Sequence, residues 1–222
     1  SRSFYSGKLA DQIDAFMQKH AGFLSKEDLA AFKPEWVAPV SANYRGYDVW
    51  EIPPNGQGMV ALMALNIYKN LNKPKWQSAE TYHEQIEAMK LAFTDGKEFI
   101  TEPEAMPVSA EHLLSEEYAK KRAEAIGETA IDPVPYELPK GGTVYLSAAD
   151  EEGNMISYIQ SNYMGFGSGI VIPGTGIALQ NRGADFSLDE QRPNALKGGK
   201  RTFHTIIPGF LTKDGRAVGP FG

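Results

Sequence analysis

Residues 139–154 read PKGGTVYLSAADEEGN, and the position of one threonine in this run decides how the rest of the chain is understood. Thr143 follows two glycines and opens a strand over Thr143–Asp150. A glycine-containing turn occupies Glu151–Asn154, and a return strand covers Met155–Asn162. Upstream, ETAIDPVPYELPKGG over 128–142 holds three prolines and ends in Gly-Gly, the composition of an exposed connector. A threonine hydroxyl is a poor nucleophile until a base takes its proton. A free α-amine on the same residue is a suitable base, because its pKa lies at about 7.7–8.0. Thr143 is internal, so that amine exists only if the Gly142–Thr143 bond is cut. Two glycines permit the backbone angles that would let the Thr143 hydroxyl approach the Gly142 carbonyl. The same residues also serve as plain loop punctuation before a strand that favours threonine, and local physics leaves both readings open.

Working outward, the first half reads mostly as helix. Leu9, Ile13, Phe16 and Met17 share one face over 7–19, a helix ended by Gly22. Ser25 with Asp28 forms a capping pattern for a short helix through Phe32, stopped by Pro34. Tyr44-Arg45-Gly46-Tyr47 reads as a turn before the alternating strand Asp48–Ile52. PPNGQG (53–58) opens an apolar helix; it lacks the dinucleotide fingerprint and the P-loop Lys-Ser/Thr, and reads as a tight turn that lets the helix pack. A long helix is predicted over 79–99 with Tyr82, Ile86, Met89 and Phe93 as its buried stripe, and another begins near Ser115. Strand-like pieces at Ile170–Ile172 and Ile177–Gln180 follow the hairpin. Helices first and antiparallel strands second point to an α+β fold.

Charge and composition narrow the function. A net charge of −6 over 222 residues, with no basic cluster, argues against a nucleic-acid partner. No apolar run approaches the length of a membrane span. The opening SRSFYSGKLADQ lacks the apolar stretch of a secretory signal. With no cysteine, disulfide and thiolate chemistry are excluded. The histidines His20, His83, His112 and His204 are dispersed, and His83-Glu84 lacks a second histidine at position 87, so neither a metal nor a cofactor is expected.

Several separate motifs, in order, carry a resemblance. FYSGKLADQI, LSKEDLAAFK, YRGYDVWEIPPNGQG and YHEQIEAMKLAF lie in the first half. GGTVYLSAADEEGN, FGSGIVIPGTGIALQN, ADFS and GKRTFHTIIPGFLTKDG follow in the second. Together they resemble the γ-glutamyltranspeptidase family of N-terminal-nucleophile hydrolases, which includes cephalosporin-acylase-like members. The resemblance implies a four-layer αββα sandwich, of which this chain covers part. It implies that 1–142 is the C-terminal part of a large-subunit region, and 143–222 the N-terminal part of a small-subunit region. Both subunits would come from one precursor that cuts itself before Thr143. A soluble bacterial-type protein is expected, in the cytoplasm or exported. The family's Gly-Gly oxyanion donors are expected just after GRAVGPFG, and a substrate-binding arginine before Ser1.

By motif position Thr143 is the nucleophile and Ser161, usually a threonine, is the hydroxyl that assists it. Tyr163 stands where transpeptidases carry Asn or Glu for the substrate ammonium. Arg182 replaces a Gln or Glu with the same task, Asp185 is kept, and His204-Thr205 replaces a Ser-Ser pair that grips the α-carboxylate. Glutamate accepts hydrogen bonds from an ammonium, whereas arginine only donates and stays positive. Two positive charges about 4 Å apart repel by 1–4 kcal/mol at effective dielectrics between water and a protein surface. Arg182 therefore suits a carboxylate, or else pairs with Asp185. The implied activity is acyl transfer from γ-glutamyl amides such as glutathione, to water or to an amine. Glutaryl- or cephalosporin-type acylase activity is one alternative, and a non-catalytic binding scaffold another.

Overall fold

The computed structural model of the chain describes residues 2–71, 76–131 and 143–222. Three short helices come first: α1 (Arg2–Tyr5), α2 (Lys8–Lys19) and α3 (Lys26–Ala31). Strands β1 (Val40–Tyr44) and β2 (Tyr47–Glu51) lead into α4 (Gly58–Tyr68) and α5 (Ala79–Phe99), then α6 (Ala110–Leu113) and α7 (Glu116–Ala123). Six strands follow: β3 (Thr143–Ala149), β4 (Met155–Ser161), β5 (Val171–Ile172), β6 (Ile177–Ala178), β7 (Gly209–Lys213) and β8 (Arg216–Phe221). The fold is α+β, as the order of signals predicts. Most of the connector before Thr143, including Gly142, lies outside the described residues.

Two compact units divide the chain. One holds residues 2–36 and 162–181; the other holds 37–71, 76–131, 143–161 and 182–222. Each draws on both sides of Thr143. The 142/143 boundary that the resemblance implies would be a covalent cut rather than a packing boundary, and it returns as a proposal below.

In the smaller unit, α2 turns Ala10, Ile13 and Met17 inward against Leu29 of α3 and Ile172 of β5. Phe16 packs on the edge of this cluster. The helix ends where Ala21 takes a left-handed φ of 55° and the Gly22 amide reaches back to the Met17 carbonyl at 2.8 Å. The Ser25 hydroxyl accepts from the Asp28 amide at 3.1 Å, while the Asp28 carboxylate accepts from the Ser25 amide at 2.9 Å. This reciprocal capping box starts α3 where the sequence indicates.

The larger unit is built on an antiparallel sheet of order β1-β2-β7-β8. Arg45 and Gly46 both have positive φ, 54° and 83°, which suits the twist of a tight β1–β2 turn. Val49 pairs with Leu211 and Trp50 with Phe210, so strands far apart in sequence become neighbours. Helix α4 is apolar almost all round because it is covered on two sides. Leu62 packs on Ala42 and Val49 of the sheet, while Val60, Met63 and Ile67 join the cluster with α5.

Helix α5 has its expected bounds but not its expected face. Tyr82, Ile86 and Met89 are 52%, 57% and 41% exposed, and Phe93 is only half-buried. The buried face instead carries Ala88, Leu91, Ala92 and Gly96. These small residues let α4 come close: a Cβ on Gly96 would stand 2.4 Å from Val60 Cγ2. The same side carries charges that have partners. Glu87 pairs with Lys90 at 2.8 Å and accepts from the Ile131 amide at 3.0 Å, and Asp95 pairs with Arg122 at 2.8 Å. Small residues and paired charges thus outcompete the large apolar stripe for the interior.

The β3–β4 hairpin pairs Thr143 with Ser161, Leu146 with Tyr158 and Ala149 with Met155. Each strand is one residue shorter than expected at one end. Asp150 leaves the ladder because its carboxylate accepts from the Glu152 and Asn154 amides at 3.0 and 2.9 Å to close the turn. Val144, Leu146, Ile156 and Tyr158 lie exposed on one face. The opposite face bears Thr143, Tyr145, Ser157 and Ser161, and Ser157 Oγ donates to the Phe221 carbonyl of β8 at 3.2 Å.

Candidate active site

Thr143 is the first residue of β3 and Ser161 the last of β4, so the ladder sets them opposite one another. The Thr143 hydroxyl donates to Ser161 Oγ at 3.2 Å. Further along the same face, the Tyr145 and Ser157 hydroxyls meet at 3.1 Å. This row of polar contacts and the tie to β8 hold the register that brings Thr143 and Ser161 together. Thr143 is exposed and Ser161 half-buried, which leaves the hydroxyl of the former accessible.

A second group gathers around the 3₁₀ turn Arg182–Asp185. Arg182 is only 6% exposed, and its Nη1 donates to Thr205 Oγ1 at 2.7 Å. His204 is fixed by the loop that precedes α4: its amide donates to the Asn55 carbonyl at 3.0 Å, and its carbonyl accepts from the Gln57 amide at 2.7 Å. PPNGQG is therefore the packing turn expected of it and also a clamp on a candidate site residue. Burial, helped by the Arg182 charge, lowers the His204 pKa to about 4, so the imidazole is neutral near pH 7. A neutral imidazole adds no second positive charge beside the buried Arg182 guanidinium.

Tyr163 belongs to the smaller unit. It is buried and has a left-handed φ of 75°, a costly conformation for an aromatic residue. The following loop is held by Asn181, whose Oδ1 accepts from the Met164 amide at 3.1 Å, and by the Gly167 amide on the Met164 carbonyl at 2.8 Å. Gly167 has φ 71°, and a Cβ there would lie 2.4 Å from the Leu179 carbonyl, so the loop requires glycine.

Three further polar residues of the larger unit carry no motif signal. Asn194 is a buried hub: it accepts from Thr101 Oγ1 at 2.9 Å and from the Phe203 amide at 3.1 Å, and donates to the Asp185 carbonyl at 2.8 Å. It thereby fixes the Asp185 turn against the segment leading to His204. Lys97, in the last turn of α5, lines a cavity of about 240 Å³ with Asp185, Ser187, Arg192, Asn194 and Phe203. Burial lowers its pKa to about 8, opposed by the Asp185 charge. Glu51 is 2% exposed, with no hydrogen-bond partner among the described residues on either carboxylate oxygen, and burial pushes its pKa up to about 7. A Cβ on Gly58 would lie 2.7 Å from the Glu51 Cβ, and one on Gly209 2.7 Å from Oε1, so two glycines leave room for this side chain. Only Glu51 left a trace in the sequence, as an acid on the inward phase of an alternating strand.

Helices on one side of an antiparallel sheet, with a hairpin led by a threonine, are the elements of the N-terminal-nucleophile hydrolases, and this chain carries part of their αββα sandwich. The Gamma-glutamyltranspeptidase family model matches residues 1–222, and the chain belongs to that family. It is 42% identical over 216 residues to the glutathione hydrolase-like YwrD proenzyme of Bacillus subtilis, covering 96% of this chain and 41% of that protein. It is 36% identical over 217 residues to the oxamate amidohydrolase proenzyme of Klebsiella pneumoniae, covering 97% and 41%. The crystal structure of cephalosporin acylase from Bacillus halodurans is 63% identical, with a TM-score of 0.93 over 100% of this chain and 40% of that one. The chain thus spans about two fifths of the length of these relatives. No helix among the described residues is long and apolar enough to cross a membrane.

Proposed function

We propose that this chain is part of an autoprocessing amide hydrolase and acyltransferase whose nucleophile is Thr143, acting on amides whose acyl group bears a carboxylate. The observation that carries the reading is the Thr143 hydroxyl at the head of β3, 3.2 Å from the Ser161 hydroxyl and directly after Gly141-Gly142. In the first step Thr143 Oγ attacks the Gly142 carbonyl carbon and the peptide nitrogen leaves as the α-amine of Thr143. Water then hydrolyses the resulting ester and frees the Gly142 carboxylate. This divides the precursor into a large subunit ending at Gly142 and a small one beginning at Thr143, and the relatives named proenzymes support such a precursor.

In turnover the new amine takes the proton from Thr143 Oγ as the oxygen attacks the substrate carbonyl. The proton passes to the departing amine, and the acyl ester on Thr143 goes to water or to an acceptor amine. Ser161 holds the hydroxyl in place. Arg182, His204, Thr205 and Asp185 form the acyl-recognition set. A buried arginine beside a neutral histidine favours a carboxylate, which suits a glutaryl-type acyl group. Retention of Asp185 and the glutathione hydrolase-like relative favour the second reading, γ-glutamyl amides.

Mass spectrometry of the purified full-length protein tests the core of this proposal. Two fragments meeting at Gly142/Thr143 are expected, with one uncut and inactive chain for Thr143→Ala. An uncut wild type that hydrolyses acyl amides, or a Thr143→Ala variant that still does, would overturn it. A protein that binds glutarate but turns over no amide would instead be a scaffold. Glutaryl- and γ-glutamyl-anilides separate the two substrate readings.

A further inference from the structure

We infer that Tyr145 and Ser157 are positioning residues for the nucleophile: their hydroxyls form a relay, from Tyr145 to Ser157 to the Phe221 carbonyl, that seats the Thr143 hairpin on the end of β8. This inference rests on the acyl-amide reading above, with Thr143 as the attacking group, and names residues that place it. The order of donors follows from counting hydrogens. A serine hydroxyl has one to give and a carbonyl has none. Ser157 Oγ gives its hydrogen to the Phe221 carbonyl at 3.2 Å. At the 3.1 Å contact Tyr145 is therefore the donor and Ser157 the acceptor.

The end of β8 is a firm seat. Phe221 pairs with Gly209 of β7, and its ring lies over that glycine, where a Cβ would stand 2.4 Å from Cζ. Phe221 also packs against Ala42, Val49 and Leu62. A Cβ on Gly222 would stand 2.5 Å from Tyr145 Cε2, so the Tyr145 ring rests directly on the backbone that follows Phe221. On the opposite face of the hairpin Val144, Leu146, Ile156 and Tyr158 are exposed. Among the described residues the hairpin is thus braced from the β8 side. Tyr145 shares a strand face with Thr143, and Ser157 shares one with Ser161, so a tilt of the hairpin on β8 carries the Thr143 hydroxyl with it.

The two reactions of Thr143 depend on this seat differently. In precursor cleavage the attacking Oγ and the Gly142 carbonyl carbon belong to adjoining residues, and local torsions set their separation. In turnover the substrate carbonyl is placed by the recognition residues around the Arg182–Asp185 turn, so the hairpin must be held relative to them. A misplacement of about 1 Å can cost about a hundredfold in rate.

A gel time course of precursor cleavage, with steady-state kinetics of the processed full-length protein on whichever anilide the wild type hydrolyses, tests the relay. Ser157→Ala breaks both bonds and should lower kcat about tenfold, roughly 1.4 kcal/mol, with KM and the rate of the cut at 142/143 near wild type. Tyr145→Phe leaves the Ser157–Phe221 bond in place and should lower kcat only about threefold. The double variant should match Ser157→Ala, because the tyrosine hydroxyl then has nothing to act through. Ser157→Thr, which keeps a hydroxyl, should recover kcat. An unchanged kcat in Ser157→Ala, a loss confined to KM, losses that multiply in the double variant, or cleavage slowed as much as turnover would overturn the inference. The two ideas fail in different ways. Processed, active protein whose kcat ignores Ser157→Ala removes the relay alone, whereas an uncut or inactive wild type removes Thr143 as nucleophile and the relay with it.

Discussion

Thr143 Oγ1 donates to Ser161 Oγ across the end rung of the β3–β4 ladder, 3.2 Å apart. A ladder that sets two hydroxyls face to face restrains the rotamer of each, so the direction of the Thr143 lone pairs depends on the partner strand. Ser161→Ala removes one neutral hydrogen bond, worth about 0.5–1.5 kcal/mol. We expect kcat to fall about two- to tenfold, with the cut at 142/143 slowed but still made, and Ser161→Thr to restore both rates. Stopped assays on processed protein and a gel time course of precursor cleavage read the two effects. An unchanged kcat in Ser161→Ala would remove Ser161 from the mechanism.

Arg182 carries a second expectation. Hydrogen bonds to charged groups contribute about 1.5–3 kcal/mol, so Arg182→Gln should lower kcat/KM for a glutaryl-anilide roughly ten- to hundredfold, mostly through KM. The same change removes one of the two causes that depress the His204 pKa. The imidazole should then titrate at higher pH in the variant, as NMR of the ring protons would report. A His204 titration that does not move would mean the guanidinium is not the neighbour described.

Glu51 predicts a pH dependence of stability. Burial raises its pKa from 4.5 to about 7 in the folded chain. The unfolded carboxyl keeps an ordinary value, so the unfolded state loses its proton first as pH rises. The contribution of the protonated side chain is therefore fully present below about pH 4.5 and is lost as pH climbs through 7. At 1.36 kcal/mol per pKa unit the difference amounts to about 3 kcal/mol. Urea midpoints of the full-length protein between pH 5 and 8 should fall in wild type and stay flatter in Glu51→Gln. Parallel curves for the two proteins would place the titrating group elsewhere.

Asn194→Ala strips partners from the Thr101 hydroxyl, the Phe203 amide and the Asp185 carbonyl at once. Leaving buried polar groups unpaired costs about 1–3 kcal/mol each, and we expect a net loss near 3 kcal/mol. Activity of the still-folded variant should fall as well, because the Asp185 turn loses its support. Thermal unfolding together with KM for the anilide separates the two. A stable variant with native KM would show that the hub positions nothing.

Much of this protein is written locally. The Ser25–Asp28 capping box, the Arg45-Gly46 turn, the bounds of α5 and the 150–154 turn follow from interactions within a few residues, and each is found where the sequence indicates. The place of Thr143 at the head of β3 was legible because two glycines before a residue that favours strands are a short-range pattern. Family membership was legible from motifs in order. The face that α5 buries was not, because its outcome depends on α4. Large apolar residues signal an inward face only when the partner leaves room for them, and Ala88, Ala92 and Gly96 allow a closer approach than Tyr82 or Met89 could.

The amino-acid sequence alone indicated most of the elements between α2 and β6, the hairpin that presents Thr143 and the family to which the chain belongs, since caps, turns and motif spacing act over short distances. Tertiary structure alone decided that β2 joins β7, that Lys97 and Asp185 line one cavity, that Asn194 binds three segments and that Glu51 is sealed between two glycines. Those relations are set by strand register and helix approach, which bring together side chains that share no local pattern. Charge and burial at a site depend on that proximity, and no single stretch of the chain contains it.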